Sequence, residues 1–206
     1  MATKKTDQVT IKAPNFQTVE FKIEGTAPYV QLKFSEKTRN QLLEKMATEG
    51  KASRGKRDAR VYEDEFLQAM YEGQKGERGI PASAFRNAMI SACRTVGFKM
   101  TLAKLSVFTE ADFFDKNDGT PLVRLTGKPK LVQHSVRNAN GNVDFRTRAM
   151  WEKWSVKLRI KYDADQFNQN DIANLLMRVG MQVGVGEGRP DGKSSAGMGW
   201  GLFSIA

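Results

Sequence analysis

Residues 18–25 read TVEFKIEG, placing Val19, Phe21 and Ile23 on one side and charged residues on the other. That period of two predicts a half-buried strand. TAPYVQLKFS follows, with a turn at Pro28 and a second extended stretch over residues 30–34. Ser35 is placed to cap a helix through EKTRNQLLEKMATEG, which Gly50 ends, and VYEDEFLQAMY predicts a further short helix. The clearest helical period lies in GIPASAFRNAMISACRTVG. Ser83 is positioned to cap it, Phe85, Met89, Cys93 and Val96 share a face, and Gly97 is the stop. That face reads as core, so Cys93, the only cysteine, is expected as a buried apolar residue rather than a nucleophile.

From residue 105 to 162 the period changes to that of strands. LSVFTEA, PLVRLTG and KLVQHSVRN are separated by turn clusters such as DKNDGTP, and Asn140-Gly141 marks the tip of a hairpin. MWEKWSVKLRIKY reads as one strand with Trp154, Val156, Leu158 and Ile160 inward. NQNDIANLLMRVGMQVG predicts a second amphipathic helix burying Ile172, Leu175, Leu176 and Val179, and GLFSI closes as a strand. The main elements then run strand, insertion, helix, strands, strand, helix, strand. That is the β-α-β-β-α-β order of an α+β, ferredoxin-like (RRM-like) antiparallel sheet with two main helices, here in a single domain over residues 1–206. Such open sheets bind RNA and single strands repeatedly, although fold alone does not fix function.

Composition adds a partner class. Hydrophobic residues make up 40% of the chain and charged ones 27%, enough for a folded core. No apolar run is long enough to span a membrane, and the first residues lack the apolar segment of a secretory signal. With one cysteine and no internal disulfide, the expectation is a cytoplasmic protein with no membrane partner. Lys and Arg exceed Asp and Glu by 33 − 23 = +10, with a pI near 9.7, which favours a polyanionic partner, foremost nucleic acid.

Three segments concentrate that charge. KASRGKRDAR holds Lys51, Arg54, Lys56, Arg57 and Arg60, and reads equally as a phosphate-contacting loop or a solvated linker. Lys128, Lys130, Arg137, Arg146 and Arg148 lie on or beside the hairpin. They form either a clamp on a strand, a reach toward a neighbouring subunit, or the solvated face of a ribbon. The third segment, residues 184–203, reads GVGEGRPDGKSSAGMGWGLF.

Gly192-Lys193-Ser194 in that segment imitates a P-loop. The first glycine of such a loop would fall at position 187, which is Glu187, while Gly188 is one residue too close. The segment also leaves a helix and enters a strand, the reverse of the P-loop order. What remains is seven glycines beside Arg189, Lys193, Ser194, Ser195 and Trp200, a composition suited to an anion-binding nest or to a flexible connection. His134 is the only histidine and reads as structural or surface-exposed. Asp112, Asp115 and Asp118 lack the glycine and terminal glutamate of a calcium loop and read as a turn. No catalytic centre, metal site or cofactor is expected. Tyr29, Phe34, Trp151, Trp154 and Trp200 are candidates for base stacking, most of them better placed as core.

VEFKIEGTAPYVQLKFS, GIPASAFRNAMISACR and GVGEGRPDGKSSAGMGWGLFSI occupy the beginning, middle and end of the chain. In that order they resemble the opening strand, first conserved helix and glycine-rich loop of CRISPR backbone subunits of the RAMP superfamily. The layout also resembles uncharacterised bacteriophage proteins of this length. The resemblance implies a ferredoxin-like palm with an inserted helical and basic-loop finger over residues 36–80 and a thumb-like hairpin over residues 128–150. It further implies homo-oligomeric assembly as a helical filament along single-stranded nucleic acid. Carried onto this sequence, it assigns Ser83, Arg86, Gly188, Arg189, Lys193 and Ser194 as backbone contacts; nuclease activity is not carried over. The expected function is a non-catalytic protein that oligomerises along single-stranded DNA or RNA in phage replication or recombination. A phage structural or assembly protein, or an inhibitor mimicking a host CRISPR backbone subunit, are the alternatives.

Overall fold

The alternation at residues 16–25 becomes a ten-residue strand with Ile23 fully buried and Glu20, Lys22 and Glu24 exposed. The computed structural model describes residues 11–34, 39–40, 43, 46, 60–137, 143–192 and 197–206. Along them run β1 (Phe16–Gly25), β2 (Tyr29–Gln31), α1 (Tyr62–Gln68), β3 (Tyr71–Glu72), β4 (Arg78–Pro81) and α2 (Ala82–Ala92). Then come α3 (Met100–Ser106), β5 (Val107–Thr109), β6 (Phe113–Phe114), β7 (Pro121–Thr126), β8 (Lys130–Arg137) and β9 (Val143–Trp151). Last are β10 (Ser155–Asp163), α4 (Gln169–Arg178) and β11 (Phe203–Ile205).

These elements make a mixed α+β protein with two antiparallel sheets. The larger has the order β11-β1-β10-β7-β4-β3, with β5 also on β10 and β6 on β7. β1 and β10 pair from Phe16↔Asp163 to Glu24↔Ser155, so Val156, Leu158 and Ile160 fall on the buried side with Ile23. The smaller sheet has the order β2-β9-β8.

α2 and α4 cover the buried face of the larger sheet. Phe85, Met89 and Cys93 from one, and Ile172, Leu175, Leu176 and the following Val179 from the other, join the strand residues in a single core. Burying each large apolar side chain contributes about 1.5–3 kcal/mol relative to exposure. Asn168 starts α4 with a capping box: its side chain accepts the Asp171 N–H at 2.9 Å, and the Asp171 carboxylate accepts the Asn168 N–H at 3.0 Å. Cys93 is buried, and burial pushes its thiol pKa up. Where the two sheets meet, the Tyr29 ring lies 5.6 Å from both Trp151 and Trp154, and the Trp154 indole donates to the Ala27 carbonyl at 2.8 Å.

Several expectations need correction. α2 starts at Ala82 with Pro81 in the capping position and no side-chain cap, so Ser83 lies in the first turn, exposed. Val96 is 49% exposed and outside the core, because a 3-10 turn over Cys93–Val96 rotates it off the apolar face. The stretch at 105–111 starts as the end of α3 and becomes strand only at Val107. The single strand expected through MWEKWSVKLRIKY is two, β9 and β10, broken at residues 152–154 and belonging to different sheets. The hairpin is present, with Arg137 opposite Val143, while Asn140-Gly141 lies outside the described residues. Of the helix expected after Ser35, the described residues Arg39, Asn40, Leu43 and Met46 are helical; Ser35 and Gly50 lie outside. No helix among the described residues is long and apolar enough to cross a membrane.

Candidate functional site

The glycine-rich segment leaves α4 through a π-helical turn, Val179–Val183, and folds back against β2 on its way to β11. Val185 N–H donates to the Gly201 carbonyl at 3.0 Å, Gly201 N–H to Pro28 at 2.7 Å, and Glu187 N–H to Val30 at 2.9 Å. The Gly188 carbonyl accepts from Met198 at 2.7 Å and Trp200 at 3.2 Å, and Asp191 N–H reaches Val183 at 3.2 Å. At Gly201 (φ 71°) a Cβ would sit 1.8 Å from the Val185 carbonyl oxygen, and at Gly188 one would sit 2.4 Å from the Trp200 ring. These glycines therefore serve close packing, and the amides named are spent on backbone carbonyls rather than offered as an anion nest. The Arg189 Nη1 donates to the Gly186 carbonyl at 3.0 Å, while Lys193, Ser194 and Ser195 lie outside the described residues.

The hairpin is fastened at its root. Arg148, 5% exposed, pairs with Glu187 of the glycine-rich segment through a short contact. Its guanidinium is thus a tie within the fold, with little surface left for a phosphate. On the opposite face of β9, Thr147 Oγ1 donates to Glu65 Oε2 at 2.8 Å, and Glu65 also accepts from Arg60 at 2.7 and 2.8 Å. The Arg60 guanidinium, the Thr147 hydroxyl and the local charge outweigh burial and hold the Glu65 carboxyl below its ordinary range. Further out, Arg146 is exposed opposite His134, whose ring lies 5.0 Å from that of Trp200. Lys128 and Lys130 are exposed, Lys130 pairing with Glu152 at 3.1 Å. Lys51, Arg54, Lys56, Arg57 and the Arg137 side chain lie outside the described residues.

Arg86 has another task. Its Nε donates to the Val107 carbonyl at 3.1 Å and its Nη2 to Lys104 at 2.6 Å, with the guanidinium 4.6 Å from the Phe108 ring. It thereby clamps the end of α3 to β5. Tyr29, Trp151 and Trp154 are buried, so among the stacking candidates Phe34 (58% exposed) and half-buried Trp200 face solvent.

The outer face of the larger sheet is mostly charged along β1 and β10, with one aromatic pair at its end, Phe16 on Phe108 at 5.7 Å beneath Lys161. Lys22 pairs with Glu24 at 2.7 Å, Lys157 with Glu20 at 3.6 Å, and Arg159 with Glu110 and Asp112 at 3.2 and 3.1 Å. Acids and bases there largely cancel. Asp115 organises the turn expected at DKNDGTP: it accepts N–H groups of Glu72, Asn117 and Asp118 at 3.0–3.2 Å and the buried Lys33 ammonium at 2.5 Å. Among the described residues no cluster of three His, Cys, Asp or Glu side chains is arranged to hold a metal ion.

Sequence reasoning missed a cleft of about 670 Å³ between β2, α2 and the glycine-rich segment. Asp191 closes one end, accepting a short hydrogen bond from Ser91 Oγ and a 2.6 Å ion pair from Arg94. Those two donors overcome partial burial and hold the Asp191 carboxyl below the usual range. The partners lie about a hundred residues apart in the chain, so no local pattern announces them. No family model matches the chain, and no curated protein matches it significantly in sequence.

Proposed function

We propose that this is a non-catalytic, sequence-tolerant single-stranded nucleic-acid-binding protein that oligomerises along DNA or RNA. One observation carries the reading: the hairpin, the glycine-rich segment and the end of the basic run at Arg60 meet around the small sheet. Arg148–Glu187 joins the first two, and Arg60–Glu65–Thr147 joins the first and third. A chain of net charge +10 thus fastens the described ends of its basic segments to the small sheet, on the two faces of β9, while the charges along β1 and β10 are largely paired. On this reading the strand contacts Arg146 and Arg189, and Lys193 and the basic run of residues 51–60 add phosphate contacts. Affinity comes from phosphate contacts.

The strand order β11-β1-β10-β5, with α2 ahead of β5 and α4 between β10 and β11, supports a ferredoxin-like arrangement. In that arrangement the hairpin is the thumb and the segment around α1 the finger, in line with the RAMP resemblance and a phage origin, and the protein acts in the cytoplasm of the host. A second reading, a phage assembly protein, is favoured by a groove flanked by exposed Val96, Met177 and Met181, a surface suited to protein contact.

Fluorescence polarisation with labelled single- and double-stranded oligonucleotides across a salt series separates the two. A strand touching about three phosphates loses affinity roughly tenfold to twentyfold between about 50 and 200 mM salt. Absence of binding to every oligonucleotide at low salt overturns the nucleic-acid reading. Arg189→Ala combined with Lys193→Ala is expected to weaken binding without unfolding, and unchanged affinity removes the glycine-rich segment from the interface.

A further inference from the structure

The Gln31 side chain is held by two backbone groups whose needs fix its orientation. Its Oε1 accepts the Tyr71 N–H at 2.9 Å, and its Nε2 donates to the Gly79 carbonyl at 3.0 Å. The same Nε2 also donates to the Tyr29 hydroxyl at 2.9 Å. Tyr29 is therefore an acceptor in that contact, and its own proton has to go elsewhere. No acceptor among the described residues takes it, although the side chain is only 2% exposed. A buried donor without an acceptor costs about 1–3 kcal/mol, so such a group points to a missing partner. Tyr29 lines the cleft described above.

The rest of the cleft narrows what that partner is. Ala84 and Ala88 of α2 present small apolar walls, and Val30 lies on the β2 side, which leaves room for a flat ring. Of the charged lining residues, Glu187 and Asp191 are ion-paired with Arg148 and Arg94, which leaves Arg189 and Lys104 as the cations toward a ligand, with Asn87 as an exposed amide. The volume falls within the range of about 300–1,000 Å³ usual for small-molecule sites. A planar ligand carrying hydrogen-bond acceptors and a negative charge satisfies all of these features together.

We infer that the cleft receives one unstacked nucleotide of the bound strand, the Tyr29 hydroxyl donating to an acceptor on the base edge and Arg189 and Lys104 facing the phosphates. This rests on the single-strand reading above and adds a base-dependent contribution to it. Burial pushes the Tyr29 phenol pKa up, which keeps the donor protonated.

The test compares a labelled single-stranded oligonucleotide with an abasic strand of equal length, by fluorescence polarisation at one salt concentration. The base-bearing strand is expected to bind roughly tenfold more tightly to the wild-type protein. Tyr29→Phe keeps the ring but removes the donor, and should shrink that gap about fivefold. Asn87→Trp, at an exposed position, should close it by filling the cleft. Each substitution should lower affinity for the base-bearing strand by a larger factor than for the abasic strand, a difference that a merely destabilised fold would not show. Equal affinity of the two strands for the wild type, or an intact gap in both variants, overturns the inference and leaves backbone binding standing. Failure of both strands to bind overturns the single-strand reading and this inference with it.

Discussion

Glu187→Gln probes whether Arg148 is a structural tie or a ligand group. The substitution preserves size and an acceptor oxygen while deleting the charge opposite a guanidinium that is 5% exposed. Removing one partner of a fully buried pair costs about 3–5 kcal/mol. Glu187 is 30% exposed and so partly solvated, which discounts the loss to about 2–3 kcal/mol. For a chain of this size that corresponds to a fall of roughly 5–10 °C in Tm. Arg148 Nε and Glu187 Oε2 already lack partners, so little local compensation is on hand. The double variant Arg148→Met with Glu187→Met removes both charges and should recover much of the loss, because an apolar pair of similar volume often replaces a buried ion pair at little cost. Urea unfolding of the wild type, Arg148→Met, Glu187→Met and the double variant gives the coupling energy directly. A cost below about 0.5 kcal/mol for Glu187→Gln, together with lost oligonucleotide affinity in an otherwise stable Arg148→Met, would refute the tie and return Arg148 to the interface.

Gly201→Ala should be among the most damaging single changes, because its Cβ would meet the Val185 carbonyl at 1.8 Å in a left-handed backbone. A loss of roughly 3 kcal/mol or more by urea denaturation is expected, and one under about 1 kcal/mol would show that the segment relaxes freely. The Asp191 carboxyl, lowered by Ser91 and then Arg94, contributes stability that is present above the unfolded-state pKa of about 4 and disappears as pH falls through the lower folded value. Asp191→Asn should therefore narrow its stability deficit on acidification, and a deficit constant from neutral pH to below pH ~3 contradicts the linkage.

Local periodicity carried the long elements. β1, β10, α2 and α4 each bury a face against one layer, so their sequences alternate or repeat at 3.6. β3, β4 and β6 have two to four residues, too few to show a period, and are strands only because neighbours pair with them. The break between β9 and β10 was hidden because Trp151 and Trp154 flank it and both are buried. The burial of Arg148 was hidden for a related reason. It shares a face of β9 with exposed Arg146, but at the root that face is covered by the glycine-rich segment some forty residues later. Pro81 in turn took the start of α2 away from Ser83, its fixed φ already suiting the end of β4 and the entry to the helix. The positive charge of the candidate interface was legible from composition. Its partition into ties and available cations was not, since that depends on contacts between distant segments.

The lone thiol of Cys93 has a practical consequence. It sits on the face of α2 that packs on the sheet and is shielded there, with its pKa raised by burial. The thiolate is the species that attacks a thiol-reactive dye, so labelling waits for α2 to lift from its neighbours. The labelling rate at different dye concentrations then gives the free energy and the speed of that opening at one defined place. A chain with a single cysteine thus carries a built-in reporter on the helix that walls the cleft, readable with and without an added oligonucleotide and without introducing a label site.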